Sequence, residues 1–278
     1  MDRYLARDAD GRALLGDADG SVPLATADPT LTTVREAIQR PSGTLPEPDD
    51  ASASRVPDSH VRFANPLADP GKLLGIGLNY ADHAADLDED SPDEPASFFK
   101  PTTAATGPGG PVRLPPESES DRVTAEAELA VVIGRTCRHI DPGEADDVVA
   151  GYVPVIDMTA EDVLQRNPRF LTRAKSYDTF LVVGPRVVVA EGDISVDGGA
   201  LDDLSVRTVV NDEVVAENSV ANMHFSPREL VSFHSRVMTL EPGDLISTGT
   251  PGAHPIEAGD VVRAEVDRVG TVTADVVW

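Results

Sequence analysis

Two glutamates separated by one residue, Glu126 and Glu128, stand at the start of an apolar run that continues to Ile133. Because successive side chains of a strand alternate between its faces, both carboxylates are predicted to point to the same side. Asp157 follows a second apolar run, 153–156, and would add a third carboxylate from a neighbouring strand. Carboxylates within reach of each other repel unless they share a proton or a cation, so a metal site is one interpretation. The alternative is an acidic strand face exposed to solvent, which a chain this acidic could produce by chance.

Composition limits the classes of function. The chain has 278 residues, of which 40% are hydrophobic, enough for one large domain or for a small domain and a larger one. A formal charge of −25 argues against a nucleic-acid partner, because a phosphate backbone needs a cationic surface. Apolar runs are too short for a membrane span and the N-terminus lacks a signal-peptide pattern, so we expect a cytoplasmic protein without a membrane partner. The single cysteine, Cys137, excludes an internal disulfide and a cysteine metal cluster.

Lysine is scarce. The 23 basic residues comprise 20 arginines and three lysines, Lys72, Lys100 and Lys175. A uniformly acidic, lysine-poor surface predicts a halophilic protein, kept in solution in concentrated salt that screens its self-repulsion. Where lysine is this rare, each one that remains is expected to have a specific role.

The chain divides by composition. Residues 1–60 are predicted to form a small β-rich N-terminal domain and a linker rich in Pro, Ser and Asp, and residues 61–278 a catalytic domain. Short β-branched runs alternate with Gly, Pro and Asp turns, which is typical of a mainly antiparallel, mixed β architecture. Two helices are predicted, over 226–233 and around 80–87. The Gly-x-Gly at 75–77 lacks the third glycine of a dinucleotide-binding loop.

Six motifs, taken in order, resemble those of the fumarylacetoacetate hydrolase family: 77–86, 98–101, 126–134, Asp157, 172–180 and 238–251. The resemblance implies an α+β, mainly β fold, a rolled mixed β-sandwich, assembled as a homodimer or higher homo-oligomer. It also implies one divalent cation per subunit, held by Glu126, Glu128 and Asp157. An all-oxygen ligand set without His or Cys suits Mg²⁺ or Mn²⁺, with Ca²⁺ as a further candidate, better than Zn²⁺.

His83 and Asp86 are three residues apart, so on a helix they would share a face and the acid could orient the imidazole. The resemblance implies that such a pair lies on a mobile lid helix and that His83 deprotonates an attacking water. Family members commonly have Glu at the position of Asp86. The alternative is a surface histidine with an incidental acidic neighbour. The segment 80–95 is predicted to close over the site when a 2-oxo acid binds.

Two of the three lysines fall in family motifs. Lys175 is predicted to be catalytic, stabilising oxyanion charge, and Lys100 to bind substrate, because an ammonium is a compact point charge. For each, the alternative is a lysine paired with one of the many acids. Thr250 is placed by the resemblance at the substrate carboxylate, and Arg169 or Arg173 could meet a distal carboxylate.

The resemblance implies a metal-dependent hydrolase that cleaves a carbon–carbon bond of a 2,4-dioxo or acylpyruvate-type acid through a metal-bound enolate. A 2-keto-3-deoxy-pentonate dehydratase is the main alternative, and isomerases and decarboxylases of 2-oxo diacids belong to the same family. A binding module that retains the fold without activity is the alternative from another class, and the full carboxylate set argues against it.

Overall fold

The computed structural model describes residues 3–41, 43–80, 92–190, 195–196 and 199–278. Within these residues the strands are β1 Tyr4–Asp8, β2 Ala13–Asp17, β3 Gly20–Pro23, β4 Phe63–Ala64, β5 Leu73–Gly77, β6 Ala96–Lys100, β7 Ala105–Thr106, β8 Val112–Arg113, β9 Val123–Ile133, β10 Val149–Ala160, β11 Leu181–Val183, β12 Arg186–Val189, β13 Ser195–Val196, β14 Gly199–Ala200, β15 Ser205–Val210, β16 Glu213–Ser219, β17 Leu245–Ser247, β18 His254–Ile256, β19 Val261–Val266 and β20 Gly270–Val277. The α-helices are α1 Leu24–Ala27, α2 Val34–Ile38, α3 Glu161–Arg166, α4 Leu171–Lys175 and α5 Pro227–Val237.

Two mixed sheets make up most of the fold. The larger sheet has the path β3-β2-β1-β12-β10-β9-β17-β5-β6, and the smaller one has the order β16-β15-β19-β20-β8. Most neighbours are antiparallel, with parallel pairs between β17 and β5, β11 and β7, and β20 and β8. The predicted α+β, mainly β sandwich is therefore confirmed.

The long central strand β9 is buried along its whole length. Leu129, Val131 and Ile133 point into a core shared with the smaller sheet, including Val262 and Ala264. Ala130 and Val132 point the other way, into a second core that contains Leu5 and Leu15 of the N-terminal strands. Burial on both faces explains why this run is almost continuously apolar beyond residue 128.

The N-terminal strands extend the larger sheet. β1 pairs antiparallel with β12, with Leu5 opposite Val187. In the predicted linker, the backbone of Val56 exchanges hydrogen bonds with that of Ser21 at 2.8 and 2.9 Å. The boundary near residue 60 stays a prediction.

Helix α5 begins where the sequence predicted a helix. The hydroxyl of Ser226 accepts a hydrogen bond from the backbone N–H of Glu229, and the Glu229 carboxylate accepts one from the backbone of Ser226. Pro227 fits the first helical position because its missing N–H has no partner there in any helix. The second predicted helix, around 80–87, lies outside the described residues except for Tyr80. None of the helices in the described ranges combines the length and apolar character needed to cross a membrane.

Candidate metal centre

The three predicted carboxylates come together through the register of two strands. β9 and β10 are antiparallel, with Asp157 opposite Glu126 and Val155 opposite Glu128. The three side chains therefore lie on one face, at the end of the strand pair beyond the apolar residues of the second core. One carboxylate oxygen from each residue lies within 4.8 Å of the other two. All three residues are buried, and Asp157 is 0% exposed.

Each glutamate is oriented by donors from other parts of the chain. The Thr159 hydroxyl donates a hydrogen bond of 2.5 Å to Oε1 of Glu126. Oε2 of Glu128 accepts one bond of 2.5 Å from the Ser247 hydroxyl and one of 2.8 Å from the Gly249 backbone N–H. These bonds to charged acceptors fix which oxygens remain turned toward the centre of the cluster.

The loop that supplies these donors to Glu128 is fixed by Asn79. Its side-chain amide donates to the carbonyls of Thr248 at 2.7 Å and Phe225 at 3.0 Å, and its side-chain oxygen accepts from the Phe225 N–H. Gly249 has φ +101°, and a Cβ there would lie 2.8 Å from the Cβ of Asn79. Glycine is required for both reasons, since it alone tolerates this φ without strain and leaves room for Asn79.

Two lysines complete the cluster. Lys175, the last residue of α4, places its Nζ 2.8 Å from Oε2 of Glu126 and 3.3 Å from Oδ2 of Asp157. Lys100, the last residue of β6, places its Nζ 2.5 Å from Oδ1 of Asp157. Both lysines are buried. With all three carboxylates ionised and both lysines protonated, as a bound cation would require of the acids, these five side chains carry one net negative charge.

The electrostatics of the cluster suit a cation. Burial, together with the nearby charge of Asp157, raises the pKa of Glu128 to about 8. Burial alone would lower the pKa of Lys175, but Asp157, Glu126 and Glu128 outweigh it and hold that pKa above its usual value. Burial lowers the pKa of Lys100 to about 8 despite its pairing with Asp157. A divalent cation would relieve the repulsion among the carboxylates, and oxygen-only donors match Mg²⁺ or Mn²⁺, so the predicted cofactor site is confirmed.

The remaining predicted residues lie around or beyond this cluster. Thr250 is buried next to Gly249, and its hydroxyl donates to the Gly252 carbonyl at 3.0 Å. Arg173 is exposed and pairs with the Glu119 carboxylate at 2.9 Å. His83, Asp86 and most of the predicted lid lie outside the described residues.

Sequence reasoning missed two of the groups that orient the ligands, Thr159 and Ser247. Thr159 is two residues beyond Asp157, so the strand period places both on one face, and that signal was available. Ser247 ends β17, immediately before the Thr248-Gly249-Thr250 motif. Nothing in the sequence indicates that its hydroxyl reaches a residue 119 positions away.

Comparison with known proteins shows which protein family the chain resembles. Residues 72–277 match the family model described as fumarylacetoacetate (FAA) hydrolase C-terminal. The oxaloacetate tautomerase fahd2, mitochondrial, of Xenopus laevis is 33% identical over 276 residues, covering 95% of this chain and 84% of that protein. The crystal structure of 5-carboxymethyl-2-hydroxymuconate delta-isomerase from Mycobacterium smegmatis is 33% identical, with a TM-score of 0.77 over 100% of this chain and 99% of that one.

A third similar structure is maleylpyruvate hydrolase from Sphingobium sp. SYK-6 in complex with manganese (II) ion and pyruvate. It is 30% identical, with a TM-score of 0.76 over 99% of this chain and 98% of that one. Hydrolases, isomerases and tautomerases thus share this fold. The model match over most of the chain, together with the buried carboxylate cluster, shows that the protein belongs to the fumarylacetoacetate hydrolase family.

Proposed function

We propose that the protein is a divalent-cation-dependent enzyme that hydrolyses a carbon–carbon bond in a 2,4-dioxo or acylpyruvate-type acid. The observation that carries this proposal is the buried cluster of Glu126, Glu128 and Asp157 with two lysines beside it. Such a cluster is costly to bury, because charged groups lose their hydration on folding and two ammonium groups cannot balance three ionised carboxylates.

The ligand set supports a 2-oxo acid as substrate. When bound, Mg²⁺ or Mn²⁺ supplies a Lewis acid that polarises a 2-oxo carbonyl and neutralises the adjacent carboxylate. Lys175 provides a positive charge at the edge of the carboxylate cluster, where it can stabilise negative charge that develops on a substrate oxygen. Deep burial strengthens that interaction, because little water is present to screen it.

Hydrolysis also needs an activated water. His83, oriented by Asp86, stays the predicted base, and the attack would fall on the 4-carbonyl to release pyruvate or a related 2-oxo acid. Support comes from the similar maleylpyruvate hydrolase structure, which contains manganese (II) and pyruvate. For the distal part of the substrate, Arg169 or Arg173 stays a predicted carboxylate contact.

Tautomerisation or isomerisation of a 2-oxo diacid is a second candidate. Similarity over nearly all of this chain to an oxaloacetate tautomerase and to a hydroxymuconate isomerase favours it. These reactions move a proton at the carbon next to the 2-oxo group and need no attacking water. The same cluster would serve them, because both routes develop negative charge on the 2-oxo oxygen.

Product analysis separates these activities. The Mn²⁺-loaded protein would be incubated in D₂O with acylpyruvates, maleylpyruvate, oxaloacetate and 2-keto-3-deoxy-pentonate, and the products followed by NMR. Pyruvate release would support hydrolysis. Faster deuterium exchange at the carbon next to the 2-oxo group, with the carbon skeleton intact, would support tautomerisation. Loss of water from the sugar acid would support the dehydratase, and no turnover of any substrate would contradict the proposal.

The variant Glu128→Gln tests the metal centre directly. It keeps the size of the side chain but removes its charge, so we expect Mn²⁺ binding, measured by calorimetry, to weaken by at least about 100-fold and turnover to fall with it. Glu241→Gln is the matched control, because Glu241 is exposed and contacts Lys72 rather than the cluster. Unchanged Mn²⁺ affinity in Glu128→Gln would refute the site.

A further inference from the structure

The ammonium of Lys100 is surrounded by protein oxygens. Besides Oδ1 of Asp157 at 2.5 Å, it contacts the backbone carbonyls of Lys175 at 2.7 Å, Phe180 at 2.9 Å and Met158 at 3.2 Å. An ammonium has three protons to donate, and these four acceptors account for all of them. Lys100 is 5% exposed. A substrate oxygen could contact this ammonium only by displacing one of these partners.

The acceptors of Lys100 belong to the elements that carry the site. Asp157 and Met158 are consecutive residues of β10, and Lys175 ends α4. The carbonyls of Lys175 and Phe180 lie at the two ends of the turn that leads from α4 to β11. A single buried charge therefore connects a metal ligand to the backbone of Lys175.

The turn that Lys100 closes is conformationally demanding. Thr179 has φ +70°, a left-handed conformation that a β-branched residue rarely adopts. Its hydroxyl accepts a hydrogen bond of 2.8 Å from the backbone N–H of Arg113. Such a residue keeps its conformation only where surrounding contacts impose it, and the bonds from Lys100 to the Lys175 and Phe180 carbonyls are two of those contacts.

We infer that Lys100 is a positioning residue, which sets Asp157 and Lys175 relative to each other, and does not bind substrate. This inference rests on the proposed function and replaces the substrate-binding role predicted for Lys100. Lysine suits the position because its three donors diverge from one compact charge, whereas the planar fork of arginine cannot point at four oxygens that surround a single point.

The test compares lysine variants in the Mn²⁺-loaded protein. Lys100→Met removes the charge and the donors at similar side-chain length. Lys72→Met is the matched control, because Lys72 pairs with Glu241 and Asp244 away from the cluster. Three properties would be measured: the EPR spectrum of bound Mn²⁺, the affinity for oxalate as a 2-oxo acid analogue, and kcat on the substrate found by product analysis.

Positioning by Lys100 predicts a distinct pattern. In Lys100→Met the Mn²⁺ spectrum should change, because Asp157 loses the nearer of its two ammonium partners and keeps only Lys175 at 3.3 Å, and kcat should fall by about 10- to 100-fold. Oxalate affinity should stay within about threefold, since no substrate contact is removed. Lys72→Met should leave all three properties unchanged. Should Lys100→Met not fold, Lys100→Gln carries the same test, because it keeps two N–H donors without the charge.

Two results would overturn the inference. A tenfold or greater loss of oxalate affinity with an unchanged Mn²⁺ spectrum would make Lys100 a substrate contact. Unchanged spectrum, affinity and kcat would show that the ion pair with Asp157 has no role at the site. Wild-type protein that binds no Mn²⁺ would instead refute the proposed function itself, and this inference with it.

Discussion

At the scale of single residues, the carboxylates of the metal centre depend on hydroxyl donors that are not ligands themselves. Thr159 and Ser247 are each almost fully buried, and each donates one short hydrogen bond to a glutamate. Without its hydroxyl donor, Glu126 would keep its contact with Lys175 and Glu128 its bond from the Gly249 N–H, and each carboxylate would be less firmly ordered before a cation binds.

We expect Thr159→Val and Ser247→Ala each to weaken Mn²⁺ binding by about 10- to 100-fold, the usual cost of losing a group that orients a ligand. Valine keeps the shape of threonine, so the change at residue 159 is confined to the hydroxyl. Calorimetric titration with Mn²⁺ measures the effect, and Thr271→Val, at an exposed position of β20, is the control. If both variants bind Mn²⁺ with wild-type affinity, the hydroxyl donors are not needed to orient the glutamates.

The sequence predicts the metal ligands better than it predicts the residues and backbone groups that hold them in place. Glu126 and Glu128 are two apart in a strand, so their common face follows from the strand period alone. The contacts of Lys100 are different, because three of its four acceptors are backbone carbonyls from separate elements. Carbonyl groups are present at every residue, so no side-chain pattern can indicate which of them will meet a lysine.

At the scale of elements, the limits of prediction follow from the site itself. The apolar run from Leu129 predicted a strand over 129–133, whereas β9 begins at Val123. The missing part contains Glu126 and Glu128, which are buried because they build the metal centre, and Thr124, whose hydroxyl lies 3.4 Å from Oε1 of Glu126. Hydrophobicity patterns treat buried polar residues as exposed, so a strand that carries a site is predicted too short.

Helix α5 contains a buried histidine that should make stability depend on pH. His234 is 1% exposed, its Nδ1 lies 2.7 Å from the Leu230 carbonyl, and its Nε2 has no hydrogen-bond partner among the described residues. Burial lowers the pKa of His234, so the folded protein binds this proton less readily than the unfolded chain does. The contribution of His234 to the free energy of unfolding is therefore fully present above the unfolded pKa of about 6.5. It is lost as the pH falls from there toward the lower pKa of the folded state.

Between about pH 6.5 and the lower pKa of the folded state, we expect the free energy of unfolding of the wild type to fall by up to about 1.4 kcal/mol per pH unit through this residue alone. His234→Gln should remove that component of the slope, whatever its effect on stability at neutral pH. Urea unfolding at a series of pH values measures it, with His60→Gln, at an exposed position, as the control. Equal slopes in wild type and His234→Gln would contradict the assignment.

At the scale of the whole molecule, the dominant feature is charge. The formal charge of −25 means that acidic residues exceed basic ones about twofold, 48 against 23. Arginines on the surface are shared between acids, as where Arg207 contacts Glu217 and Asp267, both at 2.7 Å. Exposed ion pairs of this kind contribute about 0–1 kcal/mol each, so they offset only part of the repulsion among the excess carboxylates.

Salt weakens both the attraction within ion pairs, which lowers stability, and the repulsion among the excess acids, which raises it. The large net charge decides whether the free energy of unfolding rises or falls. Added KCl screens the attraction within each ion pair, but it also screens the repulsion among the excess acids, which outnumber the pairs' basic partners. We expect the free energy of unfolding, measured with urea because urea carries no charge, to rise from about 0.05 M to about 1 M KCl, most steeply at the low end, where the Debye length changes most. The same series near pH 5, where part of the carboxylates are protonated, should show a smaller rise. Stability that is equal in low salt and in molar KCl would refute the predicted adaptation to salt.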